Sequence, residues 1–99
     1  MKLVIAARAE REIGHKAASW SRHSTVSPEL FWDELRRAIR RLEVEPYAGR
    51  RWISPSGRLL YRLLLPATEN HLYYSYEPQT QVLMIRCLWD ARRGREPKF

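Results

Sequence analysis

Cysteine is nearly missing from this sequence, with Cys87 standing alone. A lone cysteine excludes an internal disulfide and any zinc cluster built on cysteines, so packing must hold the core. Only four glycines occur, none in a phosphate-cradling run, and His15 and His23 lack partners at metal-ligand spacing. No Ser-His-Asp order and no pair of catalytic carboxylates stands out, so no metal and no other cofactor is expected. Long apolar runs are missing too: nothing approaches the roughly 18 residues of a membrane span. The short apolar start, Met1 to Ala6, is cut at once by Arg8, Glu10 and Arg11, which rules out a signal-peptide core. These absences point to an unprocessed cytoplasmic chain with no membrane contact.

What is present is positive charge. The 99 residues carry 18 Lys+Arg against 11 Asp+Glu, a net charge of +7. Of the cations 15 are arginine, whose planar fork suits phosphate and carboxylate better than a simple solubilising charge needs. Residues 1–49 hold nine cations against seven acids, and residues 50–99 hold nine against four. The C-terminal half is therefore the basic half, and a polyanionic or acidic partner is expected. The length suits one domain spanning residues 1–99 around a single core.

Apolar spacing divides the chain. Lys2 to Ala6 reads as a strand, and Ala9, Ile13, Ala17 and Trp20 then form one stripe of a helix over Ala7 to about Arg22. Ser21 to Ser27 is a polar break. Ser27-Pro28-Glu29 supplies a cap, a proline and an acid, which predicts a second helix from Pro28 to about Val44. Its stripe is Phe31, Leu35, Ala38, Ile39 and Leu42. Gly49 permits a sharp turn after Pro46, and Gly49 to Gly57 reads as a loop.

Arg58 to Leu65, His71 to Glu77 and Gln81 to Trp89 read as three strands of an antiparallel meander, with Pro66 and Pro78 in the turns. Ala91 to Phe99 reads as an irregular tail. The order β-α-α-β-β-β gives an α+β fold, a helical hairpin packed on an antiparallel sheet.

Period-two alternation sorts the strand faces. Arg58, Leu60, Arg62 and Leu64 share one side of their strand, as do His71, Tyr73 and Ser75 of the next. On the last strand Met84, Arg86 and Leu88 oppose Leu83, Ile85, Cys87 and Trp89. With the helices on the apolar side, Arg62, His71, Tyr73 and Arg86 converge on an open face, with Arg50 and Arg51 at its edge. Such a surface suits RNA, with guanidinium groups for phosphates, Tyr73 or Trp52 for stacking and His71 for proton exchange near neutral pH. Strand cleavage would draw on the same four residues. A solvated sheet face carrying two arginines and a histidine is the plainer alternative. Cys87 reads as a small core residue, and the Arg36-Arg37 and Arg40-Arg41 pairs as the solvated face of their helix.

Three runs carry a family resemblance: Leu60-Tyr61-Arg62-Leu63-Leu64-Leu65, Asn70-His71-Leu72-Tyr73-Tyr74, and Leu83 through Trp89 to Gly94. Together with the Phe31 to Pro46 helix and its Pro46-Tyr47-Ala48-Gly49 turn, they resemble the RelE/ParE superfamily of toxins from bacterial toxin-antitoxin modules. The resemblance spans essentially the whole chain. It implies a small toxin neutralised by a cognate antitoxin in a hetero-oligomeric complex. RelE-like members cut mRNA on the ribosome, and ParE-like members poison DNA gyrase. Arg62 matches a common strand arginine of the nucleases. His71 stands where many of them have arginine, and Trp89-Asp90 follows the last strand where they place a histidine or tyrosine. The helical hairpin and the Arg92-Arg93-Gly94-Arg95 tail look more like the ParE side. The resemblance therefore implies gyrase inhibition, with an mRNA interferase as alternative and a non-enzymatic nucleic-acid-binding module as a third class. In the gyrase reading Arg50, Arg51, Arg92, Arg93 and Arg95 would meet the target; in the interferase reading Arg62, His71, Tyr73 and Arg86 would be catalytic.

Overall fold

Apolar residues recur at helical spacing in two segments and at alternate positions in others, and the backbone follows that change of period. A computed structural model describes residues 1–24 and 27–99. In chain order the elements are β1 (Lys2–Ile5), α1 (Ala7–His23), α2 (Leu30–Val44), β2 (Arg50–Ile53), β3 (Leu59–Leu65), β4 (Asn70–Glu77) and β5 (Val82–Asp90). The polar break expected over Ser21 to Ser27 is partly taken up by α1, which runs on to His23, and residues 25 and 26 lie outside the described residues. The strands form one sheet in the order β1-β5-β4-β3-β2. β1 runs parallel to β5, and every other pair is antiparallel.

The helices cover one face of this sheet. Ala9 and Ile13 of α1 and Phe31, Leu35, Ala38 and Leu42 of α2 meet Leu63, Leu65, Leu72, Tyr74, Leu83, Ile85 and Leu88 in one core. Both helical stripes expected from the sequence point into it.

Three local features differ from the sequence reading. The segment Gly49 to Gly57 is not all loop, because Arg50–Ile53 pairs with β3 as a fifth strand at the sheet edge. An edge strand needs hydrogen bonds on one side only and tolerates charge, so Arg50-Arg51 carries no apolar alternation to betray it. Next, α2 begins at Leu30, two residues past Pro28; the Ser27 carbonyl accepts the Leu30 N–H at 3.2 Å, so serine serves this end through its backbone.

The third feature is a β-bulge. Tyr74 pairs with Ile85 and Tyr73 with Cys87, leaving Arg86 as an extra residue between them. Alternation is broken there, so Leu88 joins the helical core while Cys87 and Trp89 pass to the opposite face with their partners Tyr73 and His71. The face expected for Cys87 and Leu88 is thereby reversed, although Cys87 remains fully buried.

Two polar anchors fix the connections. The buried Glu34 carboxylate on α2 accepts hydrogen bonds from the Ala67 N–H at 2.6 Å, the Thr68 N–H at 3.0 Å and the Thr68 hydroxyl at 2.6 Å. It thus holds the β3–β4 turn against the helix. Glu12 of α1 accepts the Leu88 N–H at 3.1 Å, satisfying β5 beyond the end of β1.

Candidate functional site

Residues paired across a sheet point to the same side, so register alone builds the second face. Arg50 lies opposite Arg62, Arg62 opposite Tyr73, and His71 opposite Trp89. Trp52 pairs with Leu60 on the same side. Arg62, His71 and Tyr73 therefore gather as the alternation predicts, and they line one cleft of about 210 Å³ with Trp89 and residues of the tail.

Arg86 is not part of that cleft. Its Nε donates to the Ser75 hydroxyl at 2.9 Å, and it lines a separate depression beside Met84 and Val82. The bulge carries it away from His71, so three of the four expected residues converge and the fourth does not.

The face is not open, which overturns the expectation of an exposed surface and gives the irregular tail a defined place. Asp90 turns the chain: its carboxylate accepts the Arg92 N–H at 2.9 Å, and its carbonyl accepts the Arg93 N–H at 3.2 Å. Trp89 Nε1 then donates to the Arg95 carbonyl at 2.9 Å, and the Arg93 guanidinium lies 4.2 Å from the centre of the Trp89 ring. The last residues run back across the sheet. Glu96 accepts a hydrogen bond from Trp52 Nε1 and lies 3.9 Å from Arg62. Pro97 is buried, and the Phe99 ring packs 5.7 Å from both Trp52 and Tyr73. The Arg8 guanidinium, from the start of α1, lies 5.0 Å from the Phe99 ring centre.

Beneath this tail lies a small second apolar layer. Leu60 and Cys87 are fully buried and Tyr73 is 1% exposed, yet none of the three belongs to the core under the helices. Trp52 completes the layer, with its ring 4.8 Å from that of Tyr73.

The electrostatics follow from these positions. Burial lowers the His71 pKa below its ordinary 6.5, and the Arg62 charge lowers it further. The imidazole is therefore neutral near neutral pH and able to accept a proton. Burial raises the Tyr73 phenol above its ordinary value, against the opposing pull of Arg62. The Arg92 hydrogen bond holds the Asp90 carboxyl well below the usual carboxylate range, with Lys16 adding to it. Asp90 is thus an acceptor only and cannot protonate a leaving group. Burial, and then Glu12, pushes the Cys87 thiol up to about 12, which makes it inert.

The remaining arginines differ in freedom. Arg50, Arg51, Arg93 and Arg95 are exposed, whereas the Arg92 guanidinium is tied to Asp90 at 2.9 Å. Sequence reasoning missed Arg8, Glu96 and Phe99, whose roles depend on contacts across most of the chain.

No protein-family model matches this sequence, and no curated protein does. Among solved structures, the chain is similar to a chain of the archaeal RelE-RelB complex from Pyrococcus horikoshii OT3, with a TM-score of 0.58 at 19% identity. The match covers 94% of this chain and 97% of that one. The chain has the RelE-like fold. The expected α+β hairpin-on-sheet architecture is thereby borne out, with β2 added. At this identity the likeness is one of fold, and activity must be argued from the site. Among the described residues no helix is long and apolar enough to cross a membrane, and no cluster of His, Cys, Asp and Glu is arranged to hold a metal.

Proposed function

We propose that this chain is the toxin of a toxin-antitoxin pair, neutralised by a cognate antitoxin, and that it acts by binding its target in the ParE-like manner, with DNA gyrase as that target. The RelE-like fold supports the toxin reading. The observation that carries the choice of binding over cleavage is the burial of Tyr73 beneath Phe99, together with the Arg92 contact that keeps Asp90 ionised. Cleavage of RNA needs a proton donor for the leaving oxygen. While the tail is in place Tyr73 is sealed, and Asp90 is ionised, so the covered face offers none, whereas the exposed arginines at β2 and the tail are available for docking without release of the tail. A +7 chain also suits capture by an acidic antitoxin segment laid over the same arginines.

A second reading, a ribosome-dependent mRNA interferase, is favoured by one observation. Neutral His71 shares a cleft with Arg62, a base beside a cation. The two readings separate in purified systems. The gyrase reading expects the chain to inhibit supercoiling or to trap cleaved DNA. If active gyrase is untouched while programmed ribosomes yield mRNA fragments that disappear with His71→Ala and Arg62→Ala, the interferase reading replaces it.

A further inference from the structure

The chain's own C-terminus presents to the sheet face an anion followed three residues later by an aromatic ring. The Glu96 carboxylate meets Trp52 Nε1 and Arg62, and the Phe99 ring fills a slot walled by Trp52, Tyr73 and Arg8. A phosphate followed by its base offers the same two features, a negative group for an arginine and an indole N–H, and a flat ring for aromatic and guanidinium walls. We propose that residues 96–99 are a built-in mimic of one nucleotide, a displaceable cover over a slot that takes a nucleotide of single-stranded nucleic acid. This rests on reading the tail-covered sheet face as a working surface, and not on the choice between gyrase and ribosome.

Three observations favour nucleic acid over an acidic peptide as the incoming ligand. Arg50 shares the face opposite Arg62, Arg58 stands just before β3, and both are exposed with no ion pair among the described residues. They extend the cationic track past the single contact that Glu96 satisfies. The slot walls are aromatic, matching the flat faces of bases. His71, its ring centre 6.2 Å from that of Tyr73, lines the adjoining cleft with Arg62 and Glu96 as a further donor or acceptor for a phosphate or ring edge.

The contact of the cover with its cation is weak. The Glu96 side chain is 58% exposed, and its approach to Arg62 is long at 3.9 Å, so water competes for the pair. Residues 91–99 form no helix or strand, and the tail crosses the sheet without joining its ladder. Its release would uncover Tyr73 and free Arg62 together, which couples access to the slot with gain of its cation.

The test is fluorescence anisotropy with labelled oligouridine RNA and with oligothymidine DNA of equal length, at one fixed salt concentration. Phe99→Ala leaves net charge unchanged and removes the ring; it is expected to raise affinity about tenfold over the full chain, the scale of one base–aromatic stack. Glu96→Ala alters an exposed side chain and keeps the fold even if Phe99→Ala does not. It is expected to gain more than Glu43→Ala, which changes the charge equally on the exposed face of α2. Adding Arg62→Ala should abolish both gains, and the free peptide Arg95 to Phe99 should compete with the oligonucleotide. The RNA and DNA arms show whether the slot discriminates the 2′-hydroxyl, and a gain with either supports the cover. The proposal is overturned if folded Phe99→Ala and Glu96→Ala bind no tighter than the full chain and the Glu43→Ala control, or if the gains survive Arg62→Ala. It is overturned too if the Phe99→Ala and Glu96→Ala variants bind a labelled oligoglutamate peptide but neither oligonucleotide.

Discussion

The hydroxyl of Tyr74 occupies the space that a side chain at Gly49 would need. It donates to the Pro46 carbonyl and accepts the Gly49 N–H, both at 2.9 Å, so the turn after α2 is closed on a β4 side chain. A Cβ at Gly49 would lie 2.8 Å from that hydroxyl and 3.0 Å from the Arg62 carbonyl. Glycine is needed for this approach rather than for the sharp turn the sequence suggested.

Gly49→Ala is therefore expected to destabilise the fold by about 1–3 kcal/mol, and Tyr74→Phe by about 1–2 kcal/mol. Urea unfolding measures both. Because Tyr74→Phe removes the obstructing oxygen, the double variant should lose less than the two single losses together. Strict additivity would contradict the close contact.

Glu34 is the second test of how the helices hold the sheet. The residue is 7% exposed, and its carboxylate accepts three hydrogen bonds from the β3–β4 turn. Glu34→Ala leaves two backbone donors and a hydroxyl without that acceptor and should cost about 2–4 kcal/mol. Glu34→Gln retains one acceptor oxygen and should fall between. A loss no larger than that of an exposed glutamate such as Glu43→Ala would mean that Glu34 does not anchor the turn.

Much of this architecture is legible in the sequence, and the parts that are not share a cause. The stripes through Ala9, Ile13, Phe31, Leu35 and Leu42 mark the helices, and Leu63, Leu72 and Ile85 the central strands, because burial on one face imposes a period. Strand β2 escapes because Arg50 and Arg51 face water at an edge. The bulge escapes because Cys87, Leu88 and Trp89 are all apolar, and alternation cannot choose among them. Arg62, His71 and Tyr73 sit before the bulge, where simple parity holds, and their side is read correctly. Arg86 lies at the bulge itself and is misplaced. The tail's docking rests on pairs such as Trp52 and Phe99, for which no local period exists; an aromatic residue close behind Pro97 is the one available hint.

The protonation of His71 gives a pH signature. Its pKa is lower in the folded chain than its ordinary value of 6.5, so the unfolded state binds the proton more readily. The stability contributed by neutral His71 is complete above about pH 6.5 and is lost as pH falls through the folded value. The urea midpoint of the parent should drop between about pH 7 and 5, and His71→Asn should flatten that drop. Parallel curves for the two proteins would mean that His71 titrates as a free imidazole.

Cys87 offers a chemical probe of the layer beneath the tail. Its thiol is buried and its pKa pushed up to about 12, so thiol reagents at about pH 8 should label the native chain far more slowly than the unfolded one. Rapid labelling under native conditions would contradict the burial of that layer.

A toxin of the proposed kind arrests growth unless its antitoxin holds it. The most direct measurement is induction of the chain alone in bacteria, with colony formation followed beside co-induction of the short reading frame adjacent to its gene. Growth is expected to stop with the chain alone and to resume with the neighbour present, and the two proteins are expected to co-purify. Continued growth with abundant, folded chain and no neighbour would contradict the toxin reading.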